Sequence, residues 1–259
     1  MRKTHTHNME SKQDTSTVCL FDVDGTLTMP RQKIAPATEN FLEKLKERVL
    51  VALVGGSDIG KIAEQMGGDD VHQRYNYVFS ENGLMAFKDG KLIAQQNIQQ
   101  FIGEETLQKL INFSLRYMSD LWLPCKRGTF VEFRSGMINL CPVGRSCSQA
   151  ERLQFVEFDQ KHNIRQNFVE ALKKEFPASG LEFAIGGQIS IDVFPTGWDK
   201  RFCLQFLQAD SVKTIHFFGD KTDKGGNDHE IYEDNRTIGH RVSDPEDTVQ
   251  QLTNLFFAH

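Results

Sequence analysis

The chain has 259 residues, 39% of them apolar or aromatic and 20 of them glycine, a composition that supports packed cores and excludes disorder over most of the length. Thirty basic residues against 35 acidic leave a formal charge of −5, which argues against a broad nucleic-acid-binding face. No apolar run reaches the ~18 residues of a membrane span, and the first 17 residues, polar and without the apolar stretch of a secretory signal, read as a flexible leader.

In chain order, Val18–Val23 is a short apolar run suited to a central strand buried on both faces. Pro36 to Val49 reads as a helix, with Phe41, Leu42 and Leu45 on its inner side. Val49–Val54 and Tyr77–Phe79 are two further buried strands, the first closed by Gly55-Gly56-Ser57. Strands alternating with helices predict a parallel sheet.

The pattern changes after about Leu92. Glu104–Leu121 is an amphipathic helix with Leu107, Leu110, Ile111, Leu115 and Met118 on one stripe. Two hairpins follow: Phe130–Arg134 with Met137–Leu140, and Leu181–Ile185 with Gln188–Phe194 about Gly186-Gly187. Ile164–Phe176 is a helix between them. From Ile215–Phe218 the earlier style resumes. The fold class is therefore α/β: a Rossmann-like core with a parallel sheet (residues 1–92 and 198–259), interrupted by an α+β unit with an antiparallel sheet (93–197). Five cysteines, odd in number and without CxxC spacing, read as free thiols of a reducing, cytoplasmic compartment.

The chemistry concentrates at strand ends. Asp22-Val23-Asp24-Gly25-Thr26 closes the first strand, where open α/β sheets bind ligands. One carboxylate there can attack phosphorus while the other moves a proton, although an isolated DxDG also serves as a helix-capping turn. Gly219-Asp220-Lys221-Thr222 and Gly226-Asn227-Asp228 lie beyond another apolar strand, and Asp220 and Asp228 can join Asp22 around Mg²⁺, a hard ion that takes oxygen ligands. Ser57 offers a hydroxyl and backbone N–H groups to phosphate, and Lys200 a positive charge. Of the histidines, His5 and His7 lie in the leader, His216 reads as a packed core residue, and His229 follows Asp228.

These features in this order resemble the haloacid dehalogenase superfamily of aspartyl-phosphate enzymes. The resemblance implies Asp22 as nucleophile, Asp24 as general acid/base, and Mg²⁺ held by Asp22, the Asp24 carbonyl and Asp220. Longer strings are more specific: Pro30–Ile34, Lys126–Phe130, Gly144–Ser148, Gly186–Ser190, Gly197–Arg201 and Pro245–Thr248 resemble the eukaryotic-type phosphomannomutases, from about Cys19 to Phe257.

Between Lys126 and Arg152 five basic residues face two acidic ones, and arginine's planar fork suits phosphate. The alternation in Gln188–Phe194 places Ile189, Ile191 and Val193 on one face and Ser190 and Asp192 on a polar floor. The resemblance assigns substrate contacts to Arg31, Arg134, Arg145, Arg152, Ser190 and Asp192, and a second cation site to Tyr232, Asp234 and Thr237. It further implies interconversion of mannose 1-phosphate and mannose 6-phosphate, hexose 1,6-bisphosphate as activator, a supply of GDP-mannose for glycosylation, and a homodimer formed through the inserted unit. A sugar-phosphate phosphatase on the same core and a silent phosphosugar-binding protein are the alternatives. The basic inserted unit disfavours the first, and the presence of both Asp22 and Asp24 disfavours the second.

Overall fold

In the computed structural model, which describes residues 13–258, the buried run Val18–Asp22 lies in strand β1 (Asp14–Asp22). Its side chains alternate: Cys19 and Phe21 join the apolar cluster on one side of a sheet, Val18 and Leu20 the cluster on the other. The chain continues through α1 (Pro36–Lys46), β2 (Val49–Val54), α2 (Ile59–Met66), α3 (Val71–Arg74), β3 (Tyr77–Ser80), β4 (Met85–Lys88) and β5 (Lys91–Gln95). Then come α4 (Ile98–Ile102), α5 (Glu104–Ser119), β6 (Val131–Phe133), β7 (Ile138–Leu140), α6 (Gln149–His162), α7 (Ile164–Glu175), β8 (Leu181–Gly186) and β9 (Ser190–Pro195). The last elements are α8 (Leu204–Ala209), β10 (Thr214–Gly219), α9 (His229–Tyr232), β11 (Ile238–Arg241) and α10 (Pro245–Phe256).

Two compact units result, one of residues up to Gln95 with those from Asp199, the other Gln96–Trp198. The first holds a seven-stranded sheet, β11-β10-β1-β2-β3-β4-β5. Its first five strands run parallel, and β4 and β5 add an antiparallel edge. Leu42 and Leu45 of α1, Ile62 and Met66 of α2 and Leu252 of α10 cover one face; Leu204 and Leu207 of α8 and Ile231 of α9 cover the other. All six residues of β2 are buried, and each such valine or leucine contributes ~1.5–3 kcal/mol by leaving water. The second unit is a four-stranded antiparallel sheet, β6-β7-β9-β8. Two of its helices meet where Tyr117 of α5 stacks on Phe168 of α7 at 4.3 Å.

Several expectations need correction. Asp14–Thr17 are not leader: Asp14 pairs with Val49 and Thr17 with Thr214, so β1 begins four residues earlier, while residues 1–12, with His5 and His7, lie outside the described residues. A boundary at Leu92 cuts through β5, which pairs with β4 across Asp89-Gly90, both at positive φ as a tight hairpin turn requires. On α5 the buried stripe runs Leu107, Leu110, Ser114, Met118, and Leu115 is 44% exposed. The β8–β9 pairing starts at Gly186↔Ser190, so the turn is Gly187-Gln188-Ile189. His216 is only half-buried. Its Nδ1 lies 2.9 Å from His240 Nε2, and burial pushes both rings below the ordinary histidine value, His240 to about 4. Cys19, Cys125, Cys141, Cys147 and Cys203 are all free thiols, and no helix among the described residues is long and apolar enough to cross a membrane.

Candidate active site

The parallel strands β1, β2 and β10 deliver three loops to one end of the sheet. β1 ends at Asp22, and the chain turns at once, with Leu27 N donating to Val23 O at 3.0 Å and Gly25 N to Thr28 O at 2.8 Å. Thr248 of α10 anchors that turn through its hydroxyl, 2.8 Å from Thr26 O. β10 ends at Gly219, followed by Asp220 and the loop to Asp228. Lys200 enters from a short 3-10 turn (Lys200–Cys203) capped by Asp199, whose Oδ1 accepts from Arg201 N at 2.9 Å.

At the centre Lys200, 1% exposed, donates to Asp22 Oδ1 and to Asp228 Oδ1. Asp228 is fully buried, and its Oδ2 accepts the Lys221 backbone N–H at 3.0 Å. Carboxylate oxygens of Asp22, Asp220 and Asp228 lie within 4.8 Å of one another. Two glycines make this crowding possible. A Cβ on Gly25, at φ +98°, would come within 2.5 Å of Asp220 Oδ2, and one on Gly219 within 2.8 Å of the Asp228 carboxyl carbon.

Burial above all raises the Asp22 carboxyl to about 6; Lys200 opposes the rise, and Asp228 and Asp220 add to it. Burial also works against the Lys200 ammonium, but Asp22 and Asp228 outweigh it and hold the lysine above its ordinary range. Burial raises Asp220 as well. Lys221 Nζ, 3.7 Å from Asp220 Oδ2, adds a second and more exposed positive charge, so two lysines face three carboxylates.

A cavity of about 250 Å³ opens beside Asp22, lined by Asp22, Asp24, Ser57, Gln65, Lys221 and Asn227 among others. Asp24 Oδ1 accepts from Arg31 N and from Gln65 Nε2, both at 2.7 Å. Ser57 stands on the β2–α2 loop, where its carbonyl accepts Glu81 N. The fold thus brings together Asp22, Asp24, Ser57, Lys200, Asp220 and Asp228. Gln65, Lys221 and Asn227 join them without having been singled out as site residues. His229 turns its Nδ1 to Thr222 O at 2.9 Å. Tyr232, Asp234 and Thr237 stand near the α9–β11 turn, but Asp234 is engaged by Arg236 at 2.7 Å and Thr237 donates to Ile231 O at 2.6 Å.

The donor set near Asp22 suits a hard divalent cation. All its side-chain ligands are oxygens, and Asp220 Oδ1, buried, has no hydrogen-bond partner among the described residues. Mg²⁺ at one hundred times its dissociation constant is expected to add ~2.7 kcal/mol of stability, read as a rise in melting temperature. Asp220→Asn should remove that rise, and a variant that keeps it would exclude Asp220 as a ligand.

In the second unit, Glu132, Asn139 and Asp192 stand side by side across β6, β7 and β9. Arg134 Nε donates to Glu132 at 2.7 Å, and Arg145 lies 3.2 Å from the same carboxylate and donates to Asn139 Oδ1 at 2.9 Å. Asn139 passes the network on to Asp192 at 2.6 Å. Glu132 and Asn139 were not among the expected residues; strand register reveals them. Ser190 is buried and donates to Gly186 O at 3.1 Å. Arg152, in the first turn of α6, has no side-chain partner among the described residues.

The description "eukaryotic phosphomannomutase" belongs to a family whose model matches residues 38–258. The chain is 59% identical over 241 residues to phosphomannomutase 1 of Mus musculus, covering 93% of this chain and 92% of that protein. A probable phosphomannomutase of Caenorhabditis elegans is 59% identical over 250 residues, covering 95% and 98%. Two solved structures of similar fold are far more distant in sequence. A trehalose-6-phosphate phosphatase related protein has a TM-score of 0.54 at 16% identity, covering 92% of this chain and 96% of that one. The trehalose-6-phosphate phosphatase of Aspergillus fumigatus has a TM-score of 0.56 at 15% identity, covering 92% of each. Those two likenesses are of fold alone. Matched by one family model over most of its length, and by relatives above half identity over nearly all of it, the chain belongs to the eukaryotic phosphomannomutases, a family of enzymes.

Proposed function

We propose that this enzyme interconverts mannose 1-phosphate and mannose 6-phosphate through a phosphorylated Asp22, primed by a hexose 1,6-bisphosphate. The observation that carries the reading is the Asp22 carboxylate, fixed by Lys200 at the foot of a cavity that also holds Asp24 and Ser57. Family membership supports the substrate.

In the first half-reaction an Asp22 oxygen bonds to phosphorus as the bond from phosphorus to the sugar oxygen breaks. Asp24 gives that oxygen a proton. In the second, the sugar's other hydroxyl yields its proton to Asp24 and attacks phospho-Asp22, which releases its carboxylate. Ser57 hydrogen-bonds the transferring group, and Lys200 offsets part of the charge of Asp22 and Asp228 throughout. Mg²⁺, held by Asp22, Asp220, the Asp24 carbonyl and Asp228, supplies positive charge against the phosphoryl oxygens when bound. Tyr232, Asp234 and Thr237 form a second cation site in the same reading. Arg31, Arg134, Arg145 and Arg152 serve the phosphate that is not reacting, with Ser190 and Asp192 serving the sugar hydroxyls. The resemblance extends the reading to a cytoplasmic homodimer joined through the inserted unit, supplying GDP-mannose for glycosylation.

The test follows from where the phosphoryl group goes. A hexose monophosphate that phosphorylates Asp22 leaves a neutral sugar, whereas a bisphosphate leaves a monophosphate that still binds. A trace of hexose 1,6-bisphosphate is therefore expected to shorten the lag of a coupled assay with mannose 1-phosphate, with little free phosphate formed and no turnover in a chelator. Stoichiometric phosphate release without isomerised hexose phosphate would sink the mutase reading.

A further inference from the structure

The carboxylate of Asp24 is not free to turn. Its Oδ1 accepts both the Arg31 backbone N–H and Gln65 Nε2, each at 2.7 Å. A carboxylate oxygen offers two lone-pair sites, so two donors fill Oδ1, and a proton placed there would displace one of them. Oδ2 accepts no hydrogen bond among the described residues.

We propose that Gln65 is a positioning residue that turns Asp24 so that Oδ2, and not Oδ1, meets the sugar oxygen.

Position 65 lies on the buried side of α2 beside Ile62, Ala63 and Met66, where an apolar side chain is the ordinary occupant. Gln65 is 6% exposed there, and a buried amide donor left without an acceptor costs ~1–3 kcal/mol. The amide is satisfied by Asp24 and, at 3.4 Å, by the Thr28 hydroxyl. The Gln65 backbone carbonyl accepts Ile34 N at 2.8 Å, so one residue holds the segment from Asp24 to Ile34 at three points. The second donor is built at some cost: Arg31 takes φ 61°, a left-handed conformation uncommon outside glycine, and its N–H points at Asp24. Two donors converging on one oxygen orient the group; a staple serving the fold alone has no need to choose between the oxygens.

A positioning role and a structural role differ in their dependence on the leaving group. Only a basic leaving oxygen needs the proton, and kcat/KM reports the steps up to its departure. The inference rests on the proposed function only for the role of Asp24 in moving that proton. The experiment compares wild type with Gln65→Met, which keeps length and loses the donor, on 2,4-dinitrophenyl, 4-nitrophenyl and phenyl phosphate and on hexose 1,6-bisphosphate. The expected kcat/KM loss is about 10–100-fold for phenyl phosphate and the bisphosphate, part of the ~10²–10⁴-fold that such proton transfer supplies, and under about threefold for dinitrophenyl phosphate. In an Asp24→Asn background Gln65→Met should cost nothing further. If Gln65→Met fails to fold by circular dichroism, Gln65→Leu, apolar like its neighbours on the buried side of α2 and without a donor, takes its place with the same expected pattern. Equal losses along the series, a loss that persists in the Asp24→Asn background, or no loss at all would overturn the proposal. A wild-type enzyme that cleaves aryl phosphates but never isomerises mannose 1-phosphate would defeat the mutase reading alone, since the aryl series still decides the part played by Gln65.

Discussion

Asp22→Asn is expected to abolish phosphoryl transfer and yet to leave a folded protein that resists heat better than wild type at neutral pH. An amide nitrogen or oxygen does not replace a carboxylate as nucleophile toward phosphorus, and asparagine has nearly the same shape, so the loss is chemical. The stability gain follows from the raised Asp22 carboxyl, at about 6 against an ordinary value of 3.8. The folded state binds that proton more tightly than the unfolded one. Its contribution to stability is therefore fully present below 3.8 and is lost as pH rises through about 6. At pH 7.5 the ionised group costs stability that a permanently neutral asparagine does not. Thermal melts in a chelator at pH 4.5 and 7.5 should show the larger advantage for the variant at the higher pH. Near-normal mutase turnover by Asp22→Asn would refute the mechanism, and a variant less stable at both pH values would refute the electrostatic account.

Lys200→Met should be the most damaging change to the fold. It removes the ammonium that meets Asp22 and Asp228 and leaves three carboxylates within 4.8 Å of one another. Removing one partner of a buried ion pair costs ~3–5 kcal/mol, a large part of the ~5–15 kcal/mol that holds a typical domain together. Arginine is no remedy, because a site 1% exposed has no room for the wider guanidinium. Adding Asp228→Asn to Lys200→Met should recover part of the loss by removing one unpaired charge, and urea unfolding of the single and double variants measures it. A Lys200→Met protein within about 1 kcal/mol of wild type would mean that this lysine is not the counter-charge.

What could be read in advance follows from how each feature is encoded. β2 is legible with both its ends because a strand covered on two faces is a continuous apolar run, and Val49–Val54 is one. Asp22 and Asp228 were legible as carboxylates at strand ends, whereas the bridge that Lys200 makes between them spans 178 and 28 residues of sequence and has no local signature. α6 has no apolar periodicity to mark it, because its burial follows no stripe: Phe155 and Asp159 are buried while Leu153 is 49% exposed. Its start was nonetheless written in the capping box of Ser148 and Glu151. β5 is mostly exposed and so lacks alternation, although Asp89-Gly90 marked its turn. Glu132 and Asn139 become site candidates only once strand register sets them beside Asp192, and Gln65 belongs to no motif at all.

The place of β1 in the sheet also bears on how the protein is made. One neighbour, β2, follows within a few dozen residues, but the other, β10, pairs Thr17 with Thr214. At ~5–20 residues per second a ribosome needs roughly 10–40 s to bridge that interval. Through this time the nascent chain carries the apolar run Val18–Phe21 with one edge unpaired, a template for association with other chains. The residues from 96 to 198, with a sheet of their own, all emerge before β10 is made. Truncation anywhere before β10 therefore removes more than the last residues of the enzyme. It leaves the central strand open on one side, and such fragments should bind chaperones or aggregate rather than persist as partial enzymes.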